Sequence, residues 1–213
     1  MSYFYRLMPA MISGLNTTLK VFSLTLILSI PLGVLVSLGR LSKIKPLNSA
    51  VQLYIWVMRG TPLLLQIVFI FFGLPIVGIT FDRFTAVMIA FVLNYAAYFG
   101  EIFRGGIESI DKGQYDAAKV LGFTPFNTFI RIILPQVIKI VMPSIANEVI
   151  TLIKDTALVY VVGLGELLRA GKIASNRDAS LMPLVLVGII YLALTALLEA
   201  IFKKFEGRFS YYH

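Results

Sequence analysis

Residues 181–202 read LMPLVLVGIIYLALTALLEAIF. Between Asp178 and Glu199 lie 20 residues without a charge. About 20 such residues, wound as a helix, cross the hydrocarbon core of a bilayer. Working outward from this stretch, 19 uncharged residues separate Lys20 from Arg40 and 22 separate Arg59 from Asp82. The 213-residue chain is 58% hydrophobic and only 14% charged, with a mean hydropathy of +0.87. A soluble domain carries about 25% charged residues. Composition and run length together exclude a soluble enzyme and predict an all-α membrane protein.

Five membrane helices are predicted, over about 15–39, 47–73, 84–103, 134–153 and 181–202. Pro31 is the kink site of the first, and Asn16, Thr17, Thr18 and Lys20 make its opening turns polar for a span. The second is interrupted at Arg59-Gly60-Thr61-Pro62, where proline removes a backbone donor and disfavours helical geometry just before it. The fourth is expected to begin near Leu134 and to be broken at Pro143. All 213 residues form one transmembrane unit, leaving two sizeable segments outside the spans, 104–131 and 154–180, as the places where partners act.

An odd number of spans puts the termini on opposite sides. Arg40, Lys43 and Lys45, the tail residues Lys203, Lys204 and Arg208, and Arg104, Lys112, Lys119 and Arg131 all fall on one side. The other side has Arg6, Arg83, Lys154, Arg169, Lys172 and Arg177. Basic residues accumulate on cytoplasmic loops, which predicts an outside N-terminus, an inside C-terminus, and an inside location for 104–131. The net charge of +8 and pI near 9.7 follow from these scattered flanking residues. No basic stripe with interleaved aromatics is present, so nucleic acid is not an expected partner. Cysteine is absent, which removes disulfide and thiolate chemistry. The N-terminal ten residues lack the short apolar core and small-residue cleavage site of a signal peptide.

The segment 111–135, DKGQYDAAKVLGFTPFNTFIRIILP, has its own logic. Gln114–Leu121 favours a short helix with Ala117, Ala118 and Leu121 on one face, and Asp116 in its first turn suits the positive helix end. Gly122 is placed to close it in the left-handed conformation. Thr124-Pro125 reads as an N-cap followed by proline at the first helical position. Two short helices at a tight turn make a compact knob; an ordinary solvated loop is the competing reading from the residues alone.

This segment resembles the signature loop of permease subunits of binding-protein-dependent ABC importers. Asp116-Ala117-Ala118, then Gly122, then Ile132, Leu134 and Pro135 match that loop's spacing throughout, with Asp116 in place of its usual glutamate. Further blocks are similar to the polar amino-acid branch of that family: GLNTTL at 14–19, RGTPL at 59–63, YFGEIFRGGI at 98–107 and KDTAL at 154–158. They occur in order along nearly the whole chain. The resemblance implies a type I importer permease fold with a cytoplasmic coupling-helix loop, in which Asp116, Ala117, Ala118 and Gly122 couple to an ATPase. It also implies two copies of a cytoplasmic ATP-binding subunit, a second permease subunit (a like copy favoured over a sister chain), an external amino-acid-binding protein, and a bacterial inner-membrane location. No cofactor is expected in this chain. The resemblance places ATP and Mg on the partner ATPase, and the chain agrees in having no Gly-rich Lys-Ser/Thr phosphate loop.

Ionisable residues inside spans are costly and mark functional sites. In the fourth helix Glu148, Thr151 and Asp155 fall at i, i+3 and i+7, with Ser144 one turn earlier; in the third, Asn94, Tyr98 and Glu101 fall at i, i+4 and i+7. If both stripes face the dimer axis they make a polar cavity near mid-membrane with an acidic wall, suited to an ammonium or guanidinium group. Glu148, Asp155, Thr151, Asn94 and Tyr98 are the candidate substrate residues. Three of them have a plainer use: Asp155 paired with Lys154 at a gate, Asn94 and Tyr98 in interhelical hydrogen bonds. Glu101 is expected to pair with Arg104, and Arg59 to sit at the inner interface against backbone or lipid phosphate, with binding of a substrate carboxylate as its lesser reading. The expected activity is ATP-driven import of polar amino acids, cationic ones preferred. Glutamine, glutamate or cystine are the alternatives within the family, and a stand-alone ion-coupled carrier the alternative outside it. A membrane enzyme is disfavoured, because the lone histidine, His213, is terminal.

Overall fold

The computed structural model describes residues 2–209, which are helical almost throughout. Side chains are described for residue 3, residues 5–205 and no others; Arg208 and His213 lie outside these described side chains. The elements are α1 (Ser2–Leu41), α2 (Lys45–Gly60), α3 (Leu63–Val68), α4 (Arg83–Glu108), α5 (Lys112–Val120), α6 (Pro125–Thr128), α7 (Leu134–Asp155), α8 (Leu167–Asp178) and α9 (Met182–Phe209). Among the described residues four helices are long and apolar enough to cross a membrane, and α2 with the segment 63–77 makes a pair that is long and apolar enough together but is bent by 104°.

The bend has a local cause. Thr61 is extended (φ −121°, ψ 144°), and Pro62 can neither donate to the α2 ladder nor follow a helical residue without a clash. The freed carbonyls are taken up by side chains. Gln66 Nε2 donates to Met58 O (2.9 Å) and Thr61 O (3.2 Å), and Asn94 Nδ2 donates to Met58 O (2.9 Å). In an apolar medium such substitutes are what permit a broken span.

Three regions differ from the sequence expectation. The first helix starts at Ser2, well before Leu15, because Leu7 and Met11 are buried against Leu167, Ala174 and Val187. Tertiary contact thus makes a helix of residues that hydropathy leaves outside the span. Both Pro9 and Pro31 are accommodated within it. α7 does begin at Leu134 as expected, but helix already leads into it from Pro125 through a π turn at Phe129–Ile133. There the Leu134 N–H bonds Phe129 O, the wider spacing that admits Pro135 without a break. Pro143 does not interrupt α7; it lies inside it. Finally, 154–180 is no open loop. It continues α7 as a 3₁₀ turn over Thr156–Val162, reverses at Gly163 (φ +77°), and returns as α8, whose Leu167, Gly171, Ala174 and Ser175 are buried.

The packing centre is α4 against α1. A Cβ on Gly100 would meet Val36 Cγ1 at 2.5 Å, and one on Gly33 would meet Phe99 Cβ at 2.7 Å, so the two backbones approach as only glycine allows. Small residues serve this purpose in membrane helices, where apolar burial gives no advantage over lipid. Around the contact Phe91, Tyr95 and Phe99 form a buried aromatic column. By contrast α9 exposes Ile189, Leu192 and Leu197, an apolar exterior matched to acyl chains. At the α8 end, Arg177 beside Asp178 holds that carboxyl down to about 2, and Tyr3 Oη donates to it at 3.0 Å.

Candidate functional site, a cavity between α2, α4 and α7

Most members of the two stripes meet within this one chain, while Ser144 and Glu101 do not line the shared cavity. Asn94, Tyr98, Glu148, Thr151 and Asp155 line one cavity of about 600 Å³, together with Arg59 and the backbone of the α2–α3 break. The third helix contributes through α4 and the fourth through α7, as their spacing requires.

The residues differ in how free they are to act. Asp155 Oδ2 accepts a hydrogen bond from Tyr95 Oη (2.8 Å), so one carboxylate oxygen is tied to α4. Glu148 is half-buried and makes no hydrogen bond or close ion pair with any described residue. Asn94 is 4% exposed, and both amide hydrogens are engaged, one by Met58 O and one by Gln66 Oε1 (3.1 Å). It lines the cavity while holding the break in shape. Thr151 is exposed to the cavity, and Tyr98 presents its ring.

Arg59 is the main departure from the expected arrangement. Its guanidinium sits over the Tyr98 ring, 5.1 Å from the centroid, and lines the cavity, where a substrate carboxylate comes within its reach. The 104° bend carries it there, since Arg59 ends α2 just before the turn. Span counting treats the segment as straight and misses this. Glu101 pairs with Arg104 as expected (Nε–Oε1 2.8 Å), and Arg104 bridges on to Glu108. Glu166 was not singled out by its sequence. It is fully buried, caps α8 by accepting from the N–H groups of Leu168 and Arg169 (2.5 Å each), and takes a bond from Tyr191 Oη at 3.2 Å. Glutamate is uncommon among N-cap residues, so no local signal marks it.

The knob at 111–135 has the turn its residues predict, but α5 begins at Lys112, which puts Asp116 beyond its first turn, and of Ala117, Ala118 and Leu121 only Ala118 is buried. Asp111 caps α5 by accepting from Gly113 N (2.7 Å), and Gly122 stands at φ +79° with Phe123 N bonded to Ala118 O (3.0 Å). Thr124 Oγ1 caps α6. Asp116 and Ala117 face outward and Ala118 is buried, while Val120, Leu121 and Phe126 are exposed.

A bundle of membrane-crossing helices around a polar cavity, with a protruding helical knob, defines a transport permease. Residues 29–211 match the family of binding-protein-dependent transport system inner membrane components, and the chain belongs to that family. It is 41% identical over 203 residues to the arginine transport system permease protein ArtQ of Bacillus subtilis, covering 94% of this chain and 92% of that one. It is 35% identical to the L-cystine transport system permease protein TcyB of the same organism (96% and 88% covered). It is also 36% identical to a putative glutamine transport system permease protein, GlnP, of Rickettsia conorii (96% and 95% covered). Among solved structures, an amino acid ABC transporter crystallised with histidines superimposes with a TM-score of 0.90 at 35% identity, over 97% of each chain. The MetNI methionine transporter superimposes with a TM-score of 0.76 at 20% identity, over 95% of this chain and 97% of that one, which shows the fold alone. The chain is thus the permease subunit of an amino-acid ABC importer, and ATP hydrolysis falls to a separate subunit. The stand-alone carrier reading gives way to this one.

Proposed function

We propose that this permease imports polar amino acids with cationic ones preferred, by alternating access driven by two copies of a partner ATPase, and that the cavity is its substrate site. The observation that carries the reading is Glu148: a carboxylate facing a 600 Å³ cavity with no described residue to neutralise it at contact distance. A guanidinium or ammonium side chain would supply the missing partner, Arg best, through paired hydrogen bonds. Asp155 adds a second negative wall, Thr151 a hydroxyl, and Tyr98 an aromatic face. Asn94 serves by fixing the break. Arg59 meets the α-carboxylate that every amino acid carries, so cationic preference comes from Glu148 and general affinity from Arg59.

In this reading the permease pairs with a second permease subunit, preferably a like copy, in the bacterial inner membrane, with its N-terminus outside and 104–131 inside. Asp116, Ala117, Ala118 and Gly122 form the rigid knob that moves with the ATPase, ATP and Mg being bound there. An external binding protein delivers the amino acid. With the reconstituted importer, Glu148→Gln should cut arginine uptake about tenfold, the loss of one charge-assisted pair, and leave glutamine uptake within about threefold. Equal losses for both would contradict the preference.

A further inference from the structure

A second polar chamber of about 420 Å³ lies beside the first, lined by Arg40, Gln52, Trp56 and Glu101. The two share one wall: Arg59, Gly60 and Tyr98 border both. The parts of this wall differ in how firmly they are held. Tyr98 packs on Tyr95 at 6.3 Å between ring centroids, and Tyr95 is 2% exposed and hydrogen-bonded to Asp155. Its ring is therefore a fixed ledge. Arg59 is the last side chain before the α2–α3 break, is exposed, and is held by the stack on Tyr98. Nothing stands within 4 Å of where a Cβ on Gly60 would be, so the joint behind it is uncrowded. It borders a carboxylate in each chamber, Glu148 in the first and Glu101 in the second. Glu101 is already paired with Arg104, which makes it a weak second partner that can be taken and left.

We infer that Arg59 lying on Tyr98 is the gate between the substrate cavity and a release vestibule formed by the second chamber. The amino acid passes when Arg59 swings off the ring, from the Glu148 side of the shared wall toward the Glu101 side. A cation–π contact contributes about 0.5–2 kcal/mol, enough to favour the closed position yet within reach of a conformational step. The inference rests on the cavity being the transport route, but not on which amino acid is carried.

The natural absence of cysteine makes the test direct. Single cysteines are placed in the first chamber (Thr151→Cys) and in the second (Gln52→Cys), in the full importer without nucleotide or amino acid. A membrane-impermeant thiosulfonate is added to inside-out and right-side-out vesicles. From the side where Gln52→Cys reacts faster, Thr151→Cys should react at least about tenfold more slowly, the signature of a mostly closed gate. Adding Tyr98→Ala or Arg59→Gln should bring the Thr151→Cys rate to within about threefold of Gln52→Cys. Tyr98→Phe, which keeps the ring face, should leave it slow. Equal rates with the gate intact, or a slow Thr151→Cys in both opening variants, would overturn the inference. Failure of arginine to slow Thr151→Cys labelling, measured separately, would count against the substrate reading and leave the gate result standing.

Discussion

Tyr95 on α4 donates its phenolic hydrogen to Asp155 on α7 across 2.8 Å, joining the two helices at the wall of the cavity. Tyr95 is 2% exposed and sits in the middle of the aromatic column, so the bond is set by packing, not by chance rotamers. Removing it with Tyr95→Phe leaves the ring packing intact. A hydrogen bond to a carboxylate contributes about 1.5–3 kcal/mol when buried, and Asp155 is only half-buried. The lower end is expected, seen as a reduced melting temperature of the detergent-solubilised importer. Arginine affinity should fall by less than about tenfold, because the carboxylate itself remains.

The α1–α4 contact yields a prediction about stability alone. Gly100→Val places side-chain carbon against Val36, whose Cγ1 lies 2.5 Å from the position a Cβ would take. Overpacking of this kind costs about 1–3 kcal/mol. The variant should melt lower and be recovered in smaller monodisperse yield. Val36→Ala in the same chain should restore much of the loss, since it opens the space from the other side. No rescue would mean that the glycine is needed for something other than this approach.

The coupling role proposed for Gly122 can be tested apart from ATP hydrolysis. Its φ of +79° is strained for any residue with a Cβ, by roughly 1–2 kcal/mol, and asparagine tolerates it best. Gly122→Leu should abolish uptake while the partner ATPase continues to hydrolyse ATP. Gly122→Asn should retain a substantial fraction of uptake. Parallel measurement of uptake and phosphate release checks both, and full transport by the leucine variant would remove the knob from the coupling account.

Glu166 offers a test of the α8 return. Its carboxylate accepts from two backbone N–H groups and from Tyr191 Oη with no exposure to solvent. Glu166→Gln turns one acceptor into a donor that faces a donor. Leaving buried groups mismatched costs about 1–3 kcal/mol. Proteolysis should therefore cut within 164–180 in the variant at protease concentrations that spare the wild type.

The fold was legible where the physics is local or repetitive. Uncharged runs mark the spans, Thr61-Pro62 marks the break, and Gly122 marks the knob's turn. Helical spacing brought Glu148, Thr151 and Asp155 into one cavity with Asn94 and Tyr98. What was not legible depends on tertiary contact. Leu7 and Met11 become helical through burial on α8 and α9, and Pro135 is absorbed by a π turn that a proline rule reads as a start. Arg59 enters the cavity only because a 104° bend turns the end of α2 inward, an angle that no window of hydropathy encodes.

The most direct test is equilibrium binding of arginine and glutamine to the purified permease–ATPase complex, without any external binding protein, for wild type and Glu148→Gln. Selective arginine binding by the wild type, lost about tenfold or more in Glu148→Gln while weak glutamine binding stays within about threefold, is the result the account predicts. Arginine binding that survives Glu148→Gln unchanged, or no selectivity between the two amino acids in the wild type, would contradict it.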